Sequence, residues 1–259
     1  MQIIIYTLLN YINCSIDQDT NYDIAKCLLL NIRKLHKLSL EDTALLCNVS
    51  VSTLKRFCKL IGFANYSTFK HLLENHDLPF NYDGFINNFN NTQYVDELYK
   101  GLQSIEEIPV DNYLKLAHYI DNAEHIYILG YGDFQYQAGY LQNVMLYHRK
   151  LFEIINQYEQ LNNLTNLSTN DLVIVTSLTG GYAKKINTIL TRLKCKKVLI
   201  TMDSTTSYEE YNPILRIKYN NDANTNKYLI MRVYEKIISS YYFYKTGQNL
   251  NCQTQINEL

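Results

Sequence analysis

The sequence predicts an all-α domain followed by a three-layer α/β/α domain built on a mostly parallel five-stranded sheet. Apolar side chains recur at helical spacing through about the first 75 residues. From Pro109 onward, short apolar segments recur every 17–25 residues with helical stretches between them, which is the pattern of βαβ units. A chain of 259 residues is long enough for two domains of ordinary size.

The predicted boundaries follow the composition. Pro79, Gly84 and a cluster of Asn and Asp residues lie between His76 and Asn91, and this composition is typical of a connection between domains. We therefore expect a helical domain at 1–76, a linker at 77–108 and the sheet domain at 109–259.

The helical domain begins with a short helix over residues 3–12, where four apolar side chains share one face. A second helix runs from a capping pattern at Thr20 and Asp23 to about Leu35. A third helix covers the segment from about Ser67 to Asn75.

Between them, the segment from Ser39 to Gly62 predicts two helices joined by a tight turn. Ser39 and Asp42 have the spacing of a reciprocal capping pair. Asn48 tolerates the left-handed backbone that a short turn requires, and Ser50 caps the next helix. Gly62 suits the position just after the helix end.

The helix between Ser50 and Gly62 has two different faces. The core face is formed by Leu54, Phe57, Cys58 and Ile61. The opposite face offers small hydroxyls followed by cations, as a recognition helix requires for base edges and phosphates. Alternatively, this face is simply the solvated side of an ordinary amphipathic helix. The helix-turn-helix spacing around it favours the interpretation as a DNA-binding face. The candidate DNA-binding residues are Ser50, Ser52, Thr53, Lys55, Arg56 and Lys59.

The charge distribution agrees with this interpretation. The whole chain has a net charge of −1. The segment from Arg33 to Lys70, however, contains seven cations and two anions, which gives it a local charge of +5. A locally basic domain is the electrostatic pattern expected for phosphate binding.

The segment VSVSTLKRFCKLIGFANYSTFK, from Val49 to Lys70, resembles the helix-turn-helix of RpiR/MurR-type transcriptional regulators. Nine positions of that pattern match: Val49, Ser50, Thr53, Arg56, Phe57, Gly62, Phe63, Tyr66 and Phe69. The resemblance implies a DNA-binding domain followed by a sugar-isomerase (SIS) domain that senses a phosphorylated sugar and forms dimers.

The sheet domain is predicted to contain four helices and five strands. Helices are expected over Val110–Asn122, from Gly132 to about His148, over Tyr182–Lys194 and over Lys227–Lys245. Strands are expected near Ile126–Leu129, Leu151–Ile155, Leu172–Thr176, Val198–Thr201 and Ile214–Ile217.

Two glycine-containing turns follow predicted strands, where an open parallel sheet binds ligands. The second turn combines hydroxyls with two glycines, the composition of an anion nest. A dinucleotide site is disfavoured because Gln135 stands where a third glycine is needed. The candidate ligand-binding residues are Gly130, Gly132, Ser177, Thr179, Gly180 and Gly181.

The resemblance also exposes two departures in these turns. SIS domains carry G-x-G-x-S and S-x-S-G-x-T turns, and here Phe134 and Tyr182 occupy two of the hydroxyl positions. Each lost hydroxyl–phosphate bond costs roughly 1.5–3 kcal/mol. The second domain therefore has three possible roles: it binds a phosphorylated sugar, binds another ligand, or only forms dimers.

Other classes of function find little support in the sequence. The six cysteines contain no C-x-x-C spacing, which disfavours a zinc site or disulfides. We expect no metal and no cofactor. No run of about 18 apolar residues and no signal-peptide pattern is present, so we expect a soluble cytoplasmic protein that does not enter a membrane.

The leading hypothesis is therefore a non-enzymatic regulator of carbohydrate metabolism that binds a double-stranded DNA operator as a homodimer or homotetramer. A sugar-phosphate isomerase with an appended helical domain is the rival. We identify no catalytic residues, because His118, His125 and His148 are isolated and no nucleophilic triad is present.

Overall fold

The computed structural model describes residues 2–74, 92–130, 134–155, 161, 164, 166–218 and 226–247. The chain divides into two compact units, Met1–Tyr82 and Asp83–Leu259. Each unit has a hydrophobic core of its own, and each is described separately below.

The first unit is entirely helical in its described part. Its helices are α1 (Gln2–Cys14), α2 (Thr20–Leu30), α3 (Ile32–Leu35), α4 (Leu40–Leu46), α5 (Val51–Leu60) and α6 (Tyr66–Glu74). The cap of α2 is Asp19, one residue before the predicted cap Thr20, because the Asp19 side chain accepts a hydrogen bond from the Tyr22 amide at 2.9 Å. A carboxylate is a stronger acceptor than the Thr20 hydroxyl, which instead lies at the first helical position.

The connection from α4 to α5 has the predicted turn chemistry. Ser39 and Asp42 form a reciprocal capping box at the start of α4. Asn48 has a φ of 54°, and Ser50 Oγ accepts a hydrogen bond from the Thr53 amide at the start of α5. Gly62, with a φ of 93°, follows the last turn of α5. The Ser50 side chain therefore caps the start of this helix, and a left-handed glycine ends it.

The predicted core face of α5 is buried. Leu54, Phe57 and Cys58 have no exposed surface, and Ile61 is 8% exposed. The Phe57 ring meets the Tyr11 ring of α1 edge to face, with 5.5 Å between the centroids. Helix α5 is therefore held rigidly by its apolar side, and its other side is left to solvent.

The second unit alternates helices and strands. Its helices are α7 (Thr92–Glu106), α8 (Val110–Asn122), α9 (Phe134–Tyr147), α10 (Gly181–Leu190) and α11 (Asn226–Thr246). Its strands are β1 (Ile126–Gly130), β2 (Phe152–Ile155), β3 (Leu172–Thr176), β4 (Lys196–Thr201) and β5 (Ile214–Arg216).

Part of the predicted linker is a helix of this unit. The segment predicted as linker was 77–108, but α7 covers Thr92–Glu106 within it. Leu98, Leu102 and Ile105 recur at helical spacing and pack into the core of the second unit. Residues 75–91, with the Pro and Asn cluster, lie outside the described residues.

The sheet is parallel at every described pairing, in the order β2-β1-β3-β4-β5. Alternate strand residues enter two different cores. Ile128 and Ile174 face α7, α8, α9 and α11, whereas Leu129 and Val175 face α10. The predicted three-layer fold is thus confirmed, and the strand order reverses between β1 and β3.

Helices long and apolar enough to span a bilayer are absent from the part of the chain that the structure describes.

The packing of α5 gives a test of the first unit. Phe57→Ala should lower the free energy of unfolding by about 3–5 kcal/mol, because it leaves a cavity under α5. Leu60→Ala on the same helix should change it by less than about 0.5 kcal/mol, since Leu60 is 58% exposed. Urea titration of both variants by circular dichroism measures the difference, and equal effects would contradict the observed orientation of α5.

Candidate nucleic-acid interface and ligand cleft

The solvent side of α5 carries the predicted DNA-binding residues. Ser52, Lys55, Arg56 and Lys59 are exposed, and Thr53 is half-buried. They share one side of a helix whose other side lies in the core. The structure therefore brings these residues together on one surface, which we call the α5 face.

The hydroxyls at the start of the α5 face form a small cluster. Ser50 Oγ lies 2.8 Å from Ser52 Oγ and 2.9 Å from Thr53 Oγ1. Because Ser50 Oγ also accepts the Thr53 amide hydrogen, Ser50 serves mainly to cap the helix. Ser52 is exposed and, among the described residues, carries no capping hydrogen bond of this kind.

The cations of the α5 face have no anionic partner within the described ranges of the chain. Across the described residues, neither Lys55, Arg56 nor Lys59 forms an ion pair. A row of unpaired, exposed cations attracts polyanions and is screened by salt. Such a surface is suited to nucleic-acid phosphates.

The first predicted ligand turn is closed where it is described. Gly130 ends β1, and a Cβ placed on it would lie 3.4 Å from Phe134 Cβ and 3.7 Å from Thr176 Cβ. The crevice that these residues line with Tyr234 has a cavity volume of 0 Å³. Gly132 lies outside the described residues.

In the second predicted turn, the hydroxyl of Ser177 is used internally. Ser177 is 3% exposed, and its Oγ accepts a hydrogen bond from the Ala183 amide at 3.0 Å. Its carbonyl accepts the Thr201 hydroxyl at 2.8 Å. Ser177 therefore fixes the start of α10 and joins β3 to β4, whereas Thr179, two residues on, is exposed.

The glycines of this turn have different surroundings. Gly180 is left-handed, with a φ of 76°, and a Cβ on it would lie 2.3 Å from both Asp203 Oδ2 and the Tyr208 hydroxyl. Gly181 is exposed, and a Cβ on it would come no closer than 3.7 Å to Thr179 Oγ1. A glycine is therefore required at position 180, because any side chain would collide with these two groups.

The carboxylate beside Gly180 belongs to Asp203, which follows β4 and was not among the predicted site residues. Asp203 Oδ1 accepts the Thr205 amide at 2.9 Å and hydroxyl at 2.7 Å. Oδ2 accepts the Tyr208 hydroxyl at 2.8 Å and lies 3.5 Å from Lys184 Nζ. The side chain is only 7% exposed.

The protonation states of this cluster are well defined. Hydrogen bonds from Thr205, and then from Tyr208, hold the pKa of the Asp203 carboxyl far below its usual value. Burial and the bond to Asp203 raise the pKa of Tyr208 to about 12. Asp203 is thus an anion and Tyr208 a neutral donor at neutral pH.

A cleft of about 330 Å³ opens at the carboxyl ends of β3, β4 and β5. Its lining comprises Leu178, Thr179, Met202, Asp203, Ser204, Thr205, Arg216, Ile217 and Lys218. Of the predicted ligand-binding residues with a described position, Thr179 lines it. Sequence reasoning missed the others, although a hydroxyl-rich segment containing an aspartate directly after a buried strand is a usable signal.

The described residues contain no group of His, Cys, Asp and Glu side chains placed to hold a metal. Cys14, Cys27, Cys47, Cys58 and Cys195 are free thiols. Cys252 lies outside the described residues.

The fold and the α5 face define the class of the first unit as a helix-turn-helix domain. Residues 7–78 match the family model of the helix-turn-helix domain of the rpiR family. The first unit is therefore similar to the rpiR-family helix-turn-helix domain over residues 7–78, and the resemblance seen from Val49 to Lys70 is confirmed.

Two relatives extend the comparison. The HTH-type transcriptional regulator GlvR of Bacillus subtilis is 26% identical over 164 residues, and this match spans 62% of each chain. The Vibrio vulnificus NanR protein complexed with ManNAc-6P has a TM-score of 0.50 at 16% identity, covering 97% of this chain and 99% of that one. The NanR likeness establishes a common fold.

A third similar structure is that of a single domain. It is the sugar isomerase domain of an RpiR transcription factor from Sphaerobacter thermophilus, with a TM-score of 0.49 and 13% identity. It covers 64% of this chain and 96% of that one.

The two glycines of the second turn provide a matched test. Gly180→Ala should destabilise the protein by about 1–2 kcal/mol or more, because the backbone is left-handed and the new methyl group meets Asp203 and Tyr208. Gly181→Ala should be close to neutral, since it has room for a Cβ. Thermal unfolding of both variants checks this, and equal melting temperatures would contradict the placement of Asp203.

Proposed function

We propose that this protein is a DNA-binding transcriptional regulator whose second unit senses a phosphorylated sugar. The α5 face is the observation that carries the proposal. It presents exposed cations without anionic partners, beside small hydroxyls, on a helix fixed at both ends.

The dimensions of α5 suit a major groove, which accepts one α-helix. Ser52 and Thr53 stand at the start of α5, the end of a recognition helix that reaches base edges. Lys55, Arg56 and Lys59 follow on the same side, where phosphates would lie. The helix therefore separates base-reading positions from phosphate-binding positions.

The relatives support both halves of the proposal. The match to the rpiR-family domain and to a protein named as a transcriptional regulator supports control of transcription. The NanR relative is described in complex with ManNAc-6P, which supports a phosphorylated sugar as the effector class. We therefore propose control of carbohydrate metabolism rather than catalysis.

We further propose that the protein binds an operator as a homodimer or homotetramer. A single helix-turn-helix reads only one half-site, and paired recognition helices read two half-sites one helical turn apart. Closed symmetric assemblies are the usual way to pair identical subunits.

The DNA proposal predicts specific losses on substitution. Lys55→Ala and Arg56→Ala should each lower affinity for the protein's own upstream DNA roughly tenfold, because each removes a charge-assisted phosphate contact. Each should also reduce the slope of log affinity against log salt by about one. Fluorescence anisotropy over a salt series measures both quantities.

Lys194→Ala is the matched control, since Lys194 is an exposed cation in the second unit. It removes the same charge from the chain and should leave affinity and salt slope unchanged. If all three variants bind DNA as the unsubstituted protein does, α5 is not the recognition helix.

The sensing proposal predicts that a sugar phosphate changes DNA affinity. By linkage, the same compound should bind more tightly or more weakly when operator DNA is present. Titrating a panel of hexose and pentose phosphates into the protein–DNA complex tests this. Unchanged DNA affinity throughout would indicate a second unit that only forms dimers, and ketose–aldose turnover would favour an isomerase.

A further inference from the structure

Two hydroxyl groups at the second predicted turn already form hydrogen bonds within the protein. The Ser177 hydroxyl accepts the Ala183 amide hydrogen, and the Thr176 hydroxyl lies 3.1 Å from that of Tyr234. The Asp203 carboxylate is an anion directly beside Gly180. A second anion in this turn would meet a like charge at short range, which disfavours phosphate there.

Arg216 brings a positive charge to the lining of the same cleft. It ends β5 and is half-buried, and its Nη1 donates to the Asp203 carbonyl at 2.5 Å. No carboxylate pairs with the guanidinium among the residues that the structure describes. One hydrogen bond to the backbone therefore positions the guanidinium while its charge remains uncompensated.

A second cation stands at this end of the cleft. Lys218 lies two residues beyond Arg216 and pairs with Glu107 at 3.0 Å, with both side chains largely exposed. Such an exposed pair is worth little and yields easily to a better partner. Arg216 and Lys218 therefore make the β5 part of the cleft lining positive.

The hydroxyls of Thr179 and Ser204 also line the cleft. Its volume of about 330 Å³ lies within the range of small-molecule sites. A cleft with two cations and exposed hydroxyls in its lining fits a small polyol that carries an anionic group.

We propose that Arg216, with Lys218, binds the phosphate of a small polyol phosphate in this cleft, and that the exposed hydroxyls of Thr179 and Ser204 form hydrogen bonds with its hydroxyl groups. This inference rests on the proposed sensing function and specifies where the anion binds. It moves phosphate recognition from the β3 turn to the end of β5.

Isothermal titration calorimetry on the full chain tests the anion position, with inorganic phosphate and glucose 6-phosphate as probes and glucose as the uncharged comparison. Arg216→Gln should weaken binding of both phosphates roughly 10- to 100-fold, the effect of one charged hydrogen-bonding group. Arg192→Gln is the matched control, because Arg192 is exposed at the end of α10. This variant should bind both phosphates with the affinity of the unsubstituted protein.

A second measurement does not depend on the folding of a variant. Saturating phosphate should slow amide hydrogen exchange in residues 202–206 and 214–218 of the unsubstituted protein. Protection confined to residues 177–183 would return the phosphate to the β3 turn and overturn the proposal. Equal affinity of Arg216→Gln and Arg192→Gln would overturn it as well.

The outcomes separate this inference from the proposed function. If sugar phosphates alter DNA binding and the Arg216→Gln variant responds to them as the unsubstituted protein does, the regulatory function is supported and the Arg216 site is refuted. If neither probe binds the unsubstituted protein, the anion site is refuted whatever the DNA affinity. Loss of DNA binding on Lys55→Ala bears only on the first unit.

Discussion

The carboxyl edge of the sheet depends on one buried carboxylate. Asp203 accepts hydrogen bonds from Thr205 and Tyr208 and lies near Lys184 of α10. Its carboxylate also lies so close to Gly180 that a side chain there would collide with it. Its backbone carbonyl also holds Arg216 of β5. The ends of β3, β4 and β5 are thus joined through a single residue, and a buried charge with this many partners tolerates little displacement.

The helix-turn-helix was predictable because its determinants are local. The capping box at Ser39, the left-handed Asn48, the cap at Ser50 and the glycine after α5 each act within a few residues. Helical spacing then assigns the buried and exposed sides of α5 without any knowledge of its neighbours. The same reasoning gave the strands, since each is a short apolar segment between polar ones.

The cleft was not predictable because its residues are close only after the sheet has formed. Gly180, Asp203 and Arg216 belong to three strand ends, and their proximity follows from the order β3-β4-β5. A motif can mark a glycine turn, but it does not reveal that a distant carboxylate already lies against it. The helix within the predicted linker was missed for a simpler reason: its core contacts come from other parts of the second unit.

The two cationic sites meet different electrostatic requirements. The cations of α5 are exposed and unpaired, so their attraction is long in range and weakened by salt, which suits a polyanion such as DNA. Arg216 is half-buried and stands near a fixed carboxylate, so salt screens its contacts less. The neighbouring negative charge also discriminates against ligands with many anionic groups. In a chain of net charge −1, the two proposed kinds of phosphate recognition thus differ in the exposure of the cations and in the charge beside them.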